Sequence, residues 1–399
     1  MQLVHLHTHG TLNKMLHSDF WLFELSVWLH VLARSFISIF VPILLFQAGV
    51  SIPSILIYYA IYCALDVPLN FVARALLRRI GARWLVALGT VWVVAFFVTF
   101  SLIVPGSWVL LGVLGLLAAL YDAFYWVGHL YLFIESNTMG DQQGKTEENT
   151  GLLWSVKRLA RLIGPAVGAT ILILFDSTAL IYTSIVVFLL SFIPLYYVDD
   201  FKDRPTPNDP RLTWKQFFTS TEERRDYVAL ALRSLHAESE NVIWPLFIFI
   251  TLGSLESVAL VPIIVSLTSI IFSYLAGKLA HTHSQSMIAL GATVLGMLWL
   301  VRLTVTSEPV YFISIFLVGL FALLVTIPVD GSTFNRAQQT DALSAVTYRN
   351  AISMGMKVPF YVVLALLVGV FHMSFTIAAI AMFSLVLIMY YFNSHAQHA

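Results

Sequence analysis

Charge is scarce in this sequence. Asp, Glu, Lys and Arg make up 11% of 399 residues, against roughly 25% in a soluble domain. A globular core with a solvated surface is therefore excluded. Cysteine is nearly absent too. Cys63 stands alone, so no intramolecular disulfide can form and a cysteine metal site lacks its ligands. Neither sign of charge is in excess, with 22 basic and 22 acidic residues, and nothing suggests nucleic acid. No G-x-x-x-x-G-K-S/T loop is present, which argues against an ATP-driven pump, and no H-E-x-x-H or other catalytic string appears. An enzyme is not expected, and neither a cofactor nor a metal is called for. The N-terminus, "MQLVHLHTHGTLNKMLHSDF", has no basic segment leading into an apolar core, so it does not read as a cleaved signal peptide.

What is abundant is oil. The chain is 59% hydrophobic, its mean hydropathy is +0.83, and Phe, Trp and Tyr reach 14%. These values describe an integral membrane protein with aromatic belts at two interfaces. A membrane helix needs about 20 mostly apolar residues. Such runs occur at 21–46, 53–73, 84–104, 107–133, 151–175, 178–198, 227–250, 255–277, 286–305, 309–330, 345–370 and 373–393. The expected class is an all-α membrane protein of about twelve spans. Its expected divisions are a tail (1–20), a six-helix bundle (21–198), a charged, Pro-rich linker (199–226), a second six-helix bundle (227–393) and a short tail (394–399). Within the linker, "LTWKQFF" has the amphipathic character of a turn lying on the membrane surface.

Lys and Arg set the orientation. One set of alternate loops holds Arg74, Arg78, Arg79, Arg83, Lys145, Lys157, Arg158, Lys278, Arg336 and the linker's basic residues. The opposite loops ("QAGVSI", "VPGS", "FDS", "TLGSLE", "TSE", "FHM") hold none. Both termini are therefore expected in the cytoplasm, with the chain in the cytoplasmic (inner) membrane.

The halves also resemble each other, as parallel repeats in transporters do. "SIFVPILLF" (38–46) aligns with "NVIWPLFIF" (241–249), "LVALG" (85–89) with "MIALG" (287–291), and "LIGPAVG" (162–168) with "MKVPFYV" (356–362). Prolines 42 and 165 thereby meet prolines 245 and 359.

Two six-helix halves, both termini inside and a charged central linker resemble the major facilitator superfamily over nearly the whole chain. Two motifs add to the resemblance. The family's loop after span 2 reads G-x-L-x-D-R-x-G-R-R/K, and "RALLRRIGAR" (74–83) keeps Leu76, Arg79, Gly81 and Arg83. Arg74 replaces the leading glycine and Arg78 the acid. In the second half "GKLAHTHSQS" (277–286) keeps Gly277 and Leu279, with His281 at the acidic position. The acid that latches the cytoplasmic gate is missing in both. In span 5, "GPAVGA" resembles the G-P-x-x-G-G of proton-coupled exporters through Gly164, Pro165 and Gly168. Small residues and a proline there imply a close, bendable contact between the halves; plain helix packing explains them equally well.

A charge in mid-membrane is costly and marks a pathway or a partner. By depth the candidates are Arg34 (span 1), Asp66 (span 2), Asp122 and His129 (span 4), Arg161 (span 5), Arg233, His236, Glu238 and Glu240 (span 7), and Arg349 and Lys357 (span 11). The resemblance implies that spans 1, 4, 7 and 10 line a central cavity flanked by 2, 5, 8 and 11. The charges concentrate on these spans. Arg302, near the outer end of span 9, is expected to snorkel to the interface. Arg34 and Arg161 can pair with Asp66 and Asp122, and Glu238 or Glu240 with Lys357. Span 7 has two acids and few cations, which makes Glu238, then Asp122, the expected proton carrier. Trp28, Tyr125, Trp126, Trp154 and Trp244 are candidate pocket aromatics, Trp126 one turn from Asp122 and Trp244 one turn from Glu240. The histidines of both tails (His5, His7, His9, His395, His398) are too irregularly spaced to suggest a metal site.

The expected function is secondary transport of a small solute by alternating access, coupled to protons, with export slightly favoured. A monomer in the lipid bilayer is expected, its partners being a small-molecule substrate and protons. The competing reading is a non-transporting scaffold or sensor on the same fold, which the altered gate loops favour.

Overall fold

The structure is a computed structural model of the full chain, and it describes residues 19–136, 146–198, 221–339 and 342–396. The tail histidines 5, 7 and 9, Lys145, and the linker with "LTWKQFF" lie outside the described residues. So do the side chains of Trp154, Lys278, His281, Arg336, His395 and His398.

The described residues are helical, with no strand among them. In order they are α1 (Asp19–Ile37), α2 (Val41–Gln47), α3 (Ile52–Ile80), α4 (Ala82–Phe100), α5 (Trp108–Ser136), α6 (Thr146–Leu174) and α7 (Ser177–Tyr196). After the linker come α8 (Thr221–Glu238), a π-turn (Ser239–Ile243), α9 (Trp244–Leu252), α10 (Leu255–Thr304), α11 (Glu308–Gln339), α12 (Ala342–Leu366) and α13 (Val370–Ala396).

α10 is long because it holds two spans. Ser269 donates to the Gly319 carbonyl (3.2 Å), and Arg302 donates to Ser314 (2.8 Å). In a straight helix Ser269 and Arg302 would lie ~50 Å apart, whereas their partners are ~8 Å apart along α11. The chain must therefore double back between the apolar stretches Leu255–Phe272 and Ser284–Thr304.

Among the described residues, nine stretches are apolar and long enough to cross a membrane on composition alone. Among the expected spans, α6, α8–α9 and α12 do not meet that test. These three carry Lys157, Arg158 and Arg161, then Arg233, Glu238 and Glu240, then Arg349 and Lys357. Of these, Lys157 and Glu240 are buried, Arg158, Arg233, Glu238, Arg349 and Lys357 are half-buried, and Arg161 is exposed; polar groups at membrane depth are tolerated where protein or a water-lined cavity meets them.

The internal repeat has a local counterpart. Span 1 breaks at residues 38–40 and restarts at Val41-Pro42; span 7 changes winding at the π-turn and restarts at Trp244-Pro245. Proline suits the start of a helix because its missing N–H has no partner there. α2 touches α9, α3 packs along α12, and α6 packs along α10, so these pairs join the first six spans to the last six.

Polar caps close several helices at the end that lacks Lys and Arg. Ser51, Asp176 and Ser254 accept from the amides of Ser54, Ala179 and Ser257. At the basic end Gly81 joins α3 to α4 with φ +86° and ψ 163°, a conformation open essentially to glycine alone. Gly81→Ala is expected to cost about 1–3 kcal/mol, read as a lowered thermal midpoint.

Candidate functional site

The charged residues gather where α3 meets α12. From the first half, α1 contributes Arg34, α3 contributes Tyr59, Tyr62, Cys63, Asp66 and Asn70, and α5 contributes Tyr121, Asp122 and Trp126. From the second half, α8 contributes Glu238, and α12 contributes Lys357 and Tyr361.

Arg34 and Asp122 pair at 3.8 Å. This is too long for a hydrogen bond, so both keep bonding capacity. The Arg34 guanidinium also lies over the rings of Tyr121 and Trp126, at 5.8 and 5.7 Å. Asp66 is fully buried and forms no ion pair among the described residues. Its Oδ2 accepts from Asn70 (2.6 Å), and its Oδ1 has no hydrogen-bond partner. Asp122 and Lys357 lie within electrostatic range of it. Lys357 pairs with Glu238 at 2.8 Å, and the Tyr361 hydroxyl donates to the other Glu238 oxygen. Tyr361 stacks on Tyr59 at 5.2 Å, carrying the network across to the first half. Cys63 is buried in the midst of it, near Lys357, Glu238, Asp66 and Asp122.

The pairing expected of Lys357 is therefore made by Glu238. Both acids of span 7 are paired, so the shortage of cations that singled out Glu238 as proton carrier is not present. Glu240, two residues on, faces the other way. It takes a bidentate grip from Arg302, at 2.5 and 3.2 Å. Arg302 is fully buried, not snorkelling, and lies between Trp244 (3.7 Å) and Trp299 (4.6 Å). Depth along a helix gave its distance from the interface; the face it occupies decides its exposure, and that face also carries Trp299. Trp244 and His236 belong to this second-half core, where His236 accepts from the Trp299 indole (2.9 Å). They do not reach the central network.

In the first half, His129 stacks on Tyr125 and Phe23 beside the network, and Tyr125 stacks on His30 at 3.5 Å. His30 also bonds the Tyr121 hydroxyl at 2.8 Å. Lys157, expected at the boundary, is buried with its ammonium 5.1 Å from the Trp126 ring. Near it Glu24 is 2% exposed, with both oxygens lacking hydrogen-bond partners. Arg161 meets no acid of span 2 or 4; among the described residues it has neither hydrogen bond nor ion pair.

The gate and hinge candidates separate. Arg79 is exposed. Arg83 donates to the Tyr196 and Val198 carbonyls (3.0 and 3.1 Å), tying α7 down within its own half. At the basic end Arg74 crosses between the halves, donating to Ser344 and lying over Tyr348, and Phe71 meets the same Tyr348 ring at 5.9 Å. Arg74 occupies the position where the family motif has glycine. Gly277 lies in the α10 backbone, in a part whose side chains are not described. Gly164 and Gly168 do not face the other half: a Cβ on them would meet Ser35 and Phe36 of α1. The small residues and Pro165 of α6 therefore seat that helix on α1, where span 1 breaks.

Sequence reasoning missed Tyr361, Asn70, Glu24 and Asp330. Tyr361 and Asn70 each lie four residues from a named charge, one turn along the same face, and that spacing was the available signal. Asp330 sits at the end of span 10 and accepts from Arg233 (3.1 Å) and Arg349 (2.7 Å).

The sequence profile described as Major Facilitator Superfamily matches residues 24–356. Among solved structures, a peptide transporter, POT, in complex with sulfate superposes with a TM-score of 0.70 at 14% identity. It covers 95% of this chain and 94% of its own. The human organic anion transporter MFSD10 (TETRAN) gives 0.67 at 12% identity, covering 93% and 98%. No curated protein sequence matches. At such identities the superpositions speak for the fold, and the profile, matching most of the chain, speaks for descent: the chain is a multi-pass membrane protein that belongs to the major facilitator superfamily of transporters.

Proposed function

We propose that the protein is a proton-coupled secondary transporter that moves a small solute by alternating access. The observation that carries this reading is the central network itself. Arg34, Asp122, Lys357 and Glu238 come from both halves and meet in mid-membrane, where a solute contacting all four would be gripped and released as the halves move. The loose Arg34–Asp122 pair leaves bonding capacity for such a solute.

Asp66 is our choice for the proton carrier. It is the carboxylate of the network with no cation bound to it and with one oxygen unsatisfied. A buried carboxylate in that position is neutralised by a proton rather than by a salt bridge. Glu238, held by Lys357 and Tyr361, is better suited to the solute or to holding α8 against α12. The basic loops support both termini in the cytoplasm and placement in the inner membrane, and the GPAVGA string favours export. A monomer carries every residue named here.

A thermal-shift screen of sugars, amino acids, organic acids and amines on the purified protein identifies the solute, because a ligand selective for the folded state stabilises it. Vesicles then test coupling. The wild type is expected to accumulate that solute with a pH gradient and to stop when the gradient is collapsed. Asp66→Asn, nearly isosteric, is expected to keep binding within a few-fold and to lose gradient-driven accumulation. Undiminished accumulation by the variant removes Asp66 from the role. Folded wild-type protein without flux of any bound solute supports the scaffold reading, which the missing gate acids favour.

A further inference from the structure

We infer that the solute is an anion and that Arg161 joins Arg34 in holding it. This rests on the transporter reading and names the charge of what the same site takes.

Arg161 is exposed although it lies on a buried face of α6. At 100° per residue, Lys157, Gly164 and Gly168 share its side of the helix, and all three are buried. Leu159, Ile163, Ala166 and Thr170 lie on the opposite side and are the exposed ones. The exposure of Arg161 is thus toward an opening inside the protein. Arg34 tells the same story from α1. Its side chain is 38% exposed, while His30, Val31, Ala33, Ser35, Phe36 and Ile37 around it are buried.

The two cations open onto the same place. Gly164, one turn after Arg161, packs against Ser35, the residue after Arg34. The two guanidiniums lie within electrostatic range of each other. Only one carboxylate, Asp122, pairs with either of them among the described residues, and it does so loosely. Two neighbouring guanidiniums repel. Facing a common opening with a single weak counter-charge, they are suited to an incoming anion, and the planar fork of arginine matches carboxylate and phosphate oxygens. Trp126 and Tyr121, already against Arg34, add flat apolar surface for the body of an organic acid.

Benzoate, benzamide and benzylamine share one ring and differ in charge, so they serve as probes on the full-length purified protein. Benzoate is expected to raise the thermal midpoint in a saturable way; benzamide and benzylamine are not. Arg161→Gln is expected to keep the unliganded midpoint, because no partner is lost, and to weaken benzoate binding more than tenfold. Arg161→Lys retains the charge without the fork and should fall between, and it also serves if the glutamine variant does not fold. Equal shifts from the three probes, no shift with benzoate, or unchanged affinity in both variants would overturn the proposal. Flux of labelled probes through vesicles separates the two readings. Benzoate binding that depends on Arg161 without flux leaves the anion site standing and removes the transport reading. Flux of benzylamine but not benzoate does the reverse.

Discussion

Gly168→Val will prevent the protein from accumulating in folded form. A Cβ at this position would sit 2.0 Å from the Phe36 carbonyl oxygen and 2.8 Å from its carbon. These are backbone atoms of α1, so no side-chain rotation relieves the clash, and α1 and α6 must separate. Overpacking typically costs 1–3 kcal/mol and sometimes more; with backbone on the far side, about 3 kcal/mol or more is expected here. Gly164→Val should behave similarly, since its Cβ would meet Ser35 Cβ at 2.3 Å. Gly112 is the control. A Cβ there meets nothing within 4 Å, and Gly112→Ala in the same assay should be neutral or stabilising by up to about 1 kcal/mol, the helix preference of alanine. Thermal midpoints in detergent, with expression level beside them, decide the matter. A Gly168→Val protein that melts like the wild type would show that α6 does not rest on α1.

The second large effect concerns Arg302 and Glu240. Removing one member of a buried pair strands the other charge and costs roughly 3–5 kcal/mol. Arg302→Leu should reach that range, because it also loses the bond to Ser314 and the two indole faces. Glu240→Leu leaves a guanidinium enclosed by Trp244 and Trp299, with Ser314 as its remaining bonded side chain. The double variant should recover most of the loss, since a well-packed apolar replacement of a buried pair is often neutral. A coupling energy of about 3 kcal/mol from the four midpoints is the expected reading; strict additivity would mean that the pair contributes nothing specific. The Lys357–Glu238 pair, and any solute binding proposed there, should survive in the double variant, because Glu240 and Glu238 face opposite sides of their helix.

Much of this molecule was legible in its sequence because the signals were one-dimensional. Span length, the one-sided distribution of basic residues and the recurrence of Pro42 at Pro245 need only counting along the chain. The central pairing of Lys357 with a span 7 acid was legible because depth alone brings them level. What failed was azimuth. Arg302 has the depth of a snorkelling residue, yet its face points inward, and nothing in the local string says so. Gly164 and Gly168 signalled close packing correctly, but the helix they approach is α1 and not one from the other half. The π-turn at 239–243 lay beyond the sequence for the same reason. It shifts the helix face at the point where Glu238 and Glu240 must be told apart. Glu24 was passed over because it sits near the end of a span, where a carboxylate is ordinarily solvated.

Cys63 has a practical consequence. It is the only thiol in the chain, it is buried, and its neighbours are the charges of the central network. Alkylation there by a small membrane-permeant reagent requires the surrounding helices to part. In the regime where closing outpaces reaction, the labelling rate divided by that of a free thiol is the fraction of time the centre stands open. The wild-type chain thus carries its own clock, with no competing cysteine to remove and none to introduce. On the proposed transport reading a bound solute should slow it, and the degree of slowing measures how firmly the helices around Cys63 are held together.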